Sequence, residues 1–136
     1  MYPVSDTSVG AWTTNSGGTT NLYATVDEVA PADDADYIQS ELTPSASVVS
    51  IRLGTFSEPA VMTGHKLDYR YDKTPSDGAQ INLVVRVKQS TTTIASQTHT
   101  NISNGFVDGT LTLSEVEAGN ITYPASLDVE FEAIQV

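Results

Sequence analysis

Three stretches of strict two-residue alternation constrain this chain more than any other feature. Leu67, Tyr69 and Tyr71 alternate with Asp68, Arg70 and Asp72. Ile81, Leu83, Val85 and Val87 alternate with Asn82, Val84, Arg86 and Lys88, and Leu127, Val129 and Phe131 alternate with Asp128, Glu130 and Glu132. Successive side chains of an extended strand point to opposite faces, so each stretch carries one apolar face and one face that meets solvent or a partner. Half-buried strands of this kind belong to antiparallel sheets whose apolar faces stack on one another.

The intervening residues are read as further strands at 22–28, 37–42, 47–54, 92–100 and 106–113, separated by turn chemistry. Asn15-Ser16-Gly17-Gly18, Thr63-Gly64, Pro75-Ser76-Asp77-Gly78, Ser103-Asn104-Gly105 and Gly119-Asn120 all supply residues that tolerate positive φ or pre-set a turn. One helical turn is expected at Ser114-Glu115-Val116-Glu117-Ala118, where Ser114 and Glu117 have capping-box spacing and Gly119 ends the turn. Charged residues are only 17% of the chain, because Ser and Thr fill the polar positions. Both favour strands and turns over helix. The expected fold is therefore all-β, an antiparallel β-sandwich of about eight strands with one short helical turn. At 136 residues it fits one domain. Residues 1–12 are expected to form an N-terminal arm or edge segment and 13–136 a single β-sandwich domain. No repeat of the length of a solenoid or propeller unit is visible.

Six basic residues against seventeen acidic ones give a formal net charge of −11. That charge repels phosphate backbones and anionic lipid heads, so neither nucleic acid nor membrane is expected as a partner. Cysteine is absent, which excludes disulfides and thiolate metal sites. The opening residues Met1-Tyr2-Pro3-Val4-Ser5-Asp6 lack the basic and apolar regions of a signal peptide. No stretch approaches the roughly 18 consecutive apolar residues of a membrane-spanning helix.

Asp27, Glu28, Asp33, Asp34, Asp36 and Glu41 form the strongest polar cluster. Hard cations favour several oxygens converging from one flexible loop, which makes Asp33, Asp34 and Asp36 the metal candidates. The spacing is not that of an EF-hand, and a solvated or inter-subunit loop is the preferred reading. There Asp33 or Asp34 caps the turn after Pro31. His65 and His99 are read as surface or strand-edge residues, since no G-x-S-x-G, H-E-x-x-H, phosphate loop or Cys nucleophile accompanies them. Asp128, Glu130 and Glu132 have a spacing that suits an inverting glycosidase pair. Facing Arg70, Arg86 or Lys88 across the sheet is the better reading. Tyr69 and Tyr71 share the face of Leu67 and are expected in the core. Trp12 and Tyr123 are the rings that remain for a core, interface or sugar-stacking role. No catalytic residue and no cofactor is assigned.

Trp12, then Leu22-Tyr23-Ala24-Thr25-Val26-Asp27-Glu28-Val29-Ala30-Pro31 running on into Asp33-Asp34-Ala35-Asp36-Tyr37-Ile38-Gln39-Ser40, resembles small virion structural proteins of tailed bacteriophages, most of all capsid decoration (cement) proteins. The resemblance is clearest over residues 10–40. It implies a sandwich of jelly-roll type, no enzymatic activity, the major capsid protein as partner, a homodimer or homotrimer, and a place on the virion surface after synthesis in the host cytoplasm. The residues it suggests as contacts are Tyr2, Pro3 and Val4 of the arm, the ring of Trp12, and Asp33, Asp34 and Asp36. The alternative is a receptor- or glycan-binding module of a tail or head fibre.

Overall fold

A computed structural model describes residues 1–27, 34–55, 61–74 and 79–136 of the chain. The protein is mostly β, with 45% of its described residues in antiparallel strands and almost no helix. Five strands form the main sheet in the order β1 (Pro3–Ser8), β4 (Ser47–Leu53), β9 (Leu127–Gln135), β6 (Ile81–Gln89) and β7 (Thr92–His99). Two ribbons complete the strand set among the described residues, β2 (Thr13–Thr14) with β3 (Ile38–Gln39), and β5 (Lys66–Tyr71) with β8 (Val107–Thr112).

Three of the ladders are nested. β6 pairs with β7, β5 with β8, and β4 with β9, so partners lie at nearly equal distances along the chain on either side of Ser90. The ribbon doubles back at Ser90, whose positive φ of 54° supplies the left-handed residue of a tight hairpin. β9 then also pairs with β6, from Ile81↔Gln135 to Gln89↔Leu127, which rolls the ribbon's outer arm onto its inner one.

Register sorts the side chains of the sheet. Val49 and Ile51 stand opposite Phe131 and Val129, which in turn face Val85 and Val87. All of these point to one face, and two groups of residues cover it. The β5–β8 ribbon and the segment after it bring Leu67, Tyr69, Leu111 and Leu113 over Val87, Ile94 and Leu127. Trp12 and Leu22 cover Val49, Ile51 and Ala133. Leu22, Ile51, Val49 and Val85 are the largest fully buried side chains, each contributing roughly 1.5–3 kcal/mol through removal from water.

The opposite face carries the charges. Arg86 Nη1 donates to Glu130 at 2.9 Å and Arg86 Nη2 to Glu132, while Lys88 Nζ reaches Glu130 at 3.1 Å. Asp128 is buried beside the Arg52 guanidinium and accepts a hydrogen bond from Thr7 Oγ1. The three acids of β9 are thus ion-paired, as the cross-strand reading expects. Arg70 pairs elsewhere, with Asp34 and Asp108.

Of the strand expected at 22–28, the described residues 22–27 are not extended in a ladder. Leu22–Thr25 forms a 3-10 turn, because Asp6 of β1 accepts hydrogen bonds from the amides of Leu22 at 3.0 Å and Tyr23 at 2.8 Å and so holds the turn's first donors. The strand expected at 37–42 is reduced to Ile38–Gln39. α1 (Glu115–Gly119) is capped as its spacing predicts: Ser114 Oγ accepts from Glu117 N while the Glu117 carboxylate accepts from Ser114 N at 2.8 Å. Residues 3–8 form an edge strand on β4, and among the described residues no helix is long and apolar enough to cross a membrane.

Candidate docking surface

The strand register defines two ends of the body. At one end lie Leu53 of β4, Pro3 of β1, Leu127 of β9, Gln89 of β6 and Thr92 of β7. Lys66 and Thr112 belong to the same end, since Leu111 and Leu113 pack with Val87 and Leu127, whereas Tyr71 packs further along with Leu83 and Val85.

Most of the exposed large apolar residues gather at this end. Tyr2 and Val4 are each 50% exposed, and Met1 precedes them. β1 holds this segment in place, because Tyr2 O accepts a hydrogen bond from Gly54 N at 2.9 Å. Val61 and Met62 enter β5 here. His65 Nε2 and the Val61 carbonyl lie 2.8 Å apart, and Leu113 N donates to His65 O. Val116 is exposed on α1, directly after β8. Tyr123 stands on a segment that Gln89 fixes, its Oε1 accepting from the amides of Thr122 and Tyr123 at 2.8 Å each. Exposed apolar side chains on the loops of one end gain by leaving water when a partner covers them together.

The structure separates the contact residues that the sequence suggests. Tyr2, Pro3 and Val4 lie at the apolar end, with Pro3 half-buried opposite Leu53. Trp12 offers no ring to a partner: it is only 7% exposed and packs with Leu22 and Val49, since the 3-10 turn folds over it. Asp33 lies outside the described residues. Asp34 sits near the far end of the ribbon, where Arg70 Nε and Nη2 donate to its two oxygens at 2.6 and 2.9 Å. That pairing holds the Asp34 carboxyl below the usual carboxylate range and uses one lone pair on each of its oxygens. Asp36 is exposed, and no group of three metal-ligating side chains occurs among the described residues. The Asn15 amide donates to Ala35 O at 2.7 Å, and the Asn15 backbone N–H donates to Tyr37 O at 2.9 Å, so the return of the acidic loop is anchored.

The two histidines differ. His65 belongs to the loop just described. His99 lies between two tyrosines, with Nε2 2.6 Å from Tyr69 Oη and Nδ1 3.1 Å from Tyr71 Oη. Burial pushes its pKa below the ordinary value and pushes that of Tyr69 up. Both ring nitrogens are spent on phenols, so His99 ties β7 to β5 and is aimed at no serine or threonine. Val61 and Met62 carry a sequence signal of their own, an apolar pair set just before the Thr63-Gly64 turn, whereas nothing in the sequence around Val116 marks it as exposed.

No family model matches the sequence, and no curated protein or solved structure is significantly similar to it.

Proposed function

We propose that the chain is a non-enzymatic capsid decoration protein of a tailed bacteriophage, which docks through its apolar end onto the outside of the shell and bridges neighbouring major capsid proteins. The observation that carries this reading is the gathering of Met1, Tyr2, Val4, Val61, Met62, Val116 and Tyr123 at one end of a small rigid β body. The likeness of Trp12 and residues 22–40 to virion proteins supplies the class of partner. Nested ladders folding back on themselves support a jelly roll, which is one long hairpin rolled until its outer strands meet.

The mechanism is thermodynamic. A protein that binds only the assembled shell stabilises it by mass action, and many symmetry-related copies multiply a modest free energy per site. A dimer or trimer on a local symmetry axis repeats one patch across the particle. The charge of −11 keeps the free chain soluble and complements basic patches on the shell.

The test compares capsids stripped of this protein with capsids to which it has been restored, under heat or osmotic shock. Restored particles survive longer, and Val4→Asp or Val61→Asp, which place a charge in the docking end, abolish both co-sedimentation and protection. Equal survival of stripped and restored capsids rules the reading out.

A further inference from the structure

A shallow, open groove of about 590 Å³ lies beside β1, between Ser5–Val9 and the segment Thr19–Tyr23. We infer that this groove binds a short uncharged oligosaccharide.

The lining determines the ligand class. The lining residues include Ser5, Ser8, Thr19 and Thr20, which carry hydroxyls, Asn21, which carries an amide, and Tyr23, which is half-buried against the core. Hydroxyls and amides donate and accept alike, which suits a ligand that is itself a dense array of hydroxyls. A tyrosine ring offers an apolar body for the C–H face of a sugar and a polar tip beside it. The single formal charge in the lining is Asp6, and both of its oxygens already accept backbone amides from Leu22 and Tyr23. No cation lines the groove, and the chain carries −11 overall, so phosphorylated or sulfated ligands are disfavoured.

Part of the groove wall is held in place within the chain. Leu22 is fully buried and its amide is held by Asp6, which sets the position of Tyr23, while Thr7 Oγ1 is tied to Asp128 across the sheet. Preorganisation of this kind lowers the entropic cost of binding. An extended peptide is the competing occupant of a strand edge. Against it, the β1–β4 register shifts twice, between Pro3 and Ser5 and between Asp6 and Ser8, so β1 does not present the regular ladder that strand addition requires.

This inference does not depend on the capsid reading, because the groove belongs to a single chain and shares no lining residue with the docking end. Where many copies are displayed on one particle, weak single-site binding adds up to firm attachment to a sugar-coated surface.

The experiment is an amide NMR titration of the free protein with maltotriose, cellotriose and triacetylchitotriose at millimolar concentrations, alongside an uncharged threonine–valine peptide. The expected result is saturable shifts confined to residues 5–9 and 19–23 with at least one sugar and none with the peptide. Tyr23→Ala weakens that binding by about tenfold or more. Because Tyr23 also packs against the core, Thr20→Lys serves as a second variant: Thr20 is exposed, and the longer side chain fills the groove without touching the core. Absence of groove shifts with all three sugars overturns the inference, as does a peptide response at these residues or undiminished sugar binding by a folded Thr20→Lys protein.

Discussion

The ring of Tyr69 fills the space above Gly109, its directly opposed partner on β8. A Cβ at Gly109 would stand 2.7 Å from Cζ and 2.9 Å from Cδ2 of that ring. The missing side chain lets the ring lie close to the ribbon, stack edge-on to Phe131 and bring its hydroxyl to His99. Gly109→Ala is expected to cost about 1–3 kcal/mol through overpacking. Thermal denaturation measures it, and Gly119→Ala, where an added Cβ meets nothing within 4 Å, is the neutral control.

Protonation of His99 weakens the fold. Its folded pKa is lowered by burial from an ordinary 6.5, so the unfolded chain binds the proton more tightly. The stability tied to the neutral ring is fully present above 6.5 and is lost as pH falls through the lowered folded value. Asp34, Asp68 and Glu117, also lowered, act in the same direction but only below their ordinary values of 3.8, 3.8 and 4.5. Urea midpoints should therefore drop between pH 6.5 and 4.5. His99→Gln, which cannot titrate, should flatten that part of the profile, and an unchanged slope in the variant would refute the assignment.

Ion pairs on the sheet differ in value with their exposure. Glu130 and Glu132 are only 12% and 15% exposed, and Arg86→Met leaves two neighbouring carboxylates short of a counter-charge. The expected loss is about 2 kcal/mol, below that of a fully buried pair because solvent still reaches these groups. Lys66→Ala breaks a pair whose members are 59% and 56% exposed and should leave the urea midpoint where it was.

Asp6→Ala removes the acceptor for two amides of the 3-10 turn, and about 1–2 kcal/mol is expected to go with it, as for a lost helix cap. Trp12 reports the change directly. It is the chain's single tryptophan and packs against Leu22, so its fluorescence should shift to the red as the turn loosens. Emission identical to that of the unmodified protein would mean the turn is held by other contacts.

Local chemistry was enough to read much of this fold. Alternation at Leu67–Asp72, Ile81–Lys88 and Leu127–Glu132 placed β5, β6 and the first part of β9, and with them the apolar and charged faces, because the two-residue period is a property of the extended backbone alone. Ser114 and Glu117 marked α1 for the same reason: a capping box closes within four residues. What depends on groups far apart in the chain was settled only by folding. Leu22–Thr25 has strand-like composition yet turns, since its amides meet the carboxylate of Asp6 on another strand. Trp12 is buried because that turn closes over it, and Asp34 is drawn to Arg70. The apolar end itself joins residues from Met1 to Tyr123, and nothing short of the nested ladders brings them to one surface.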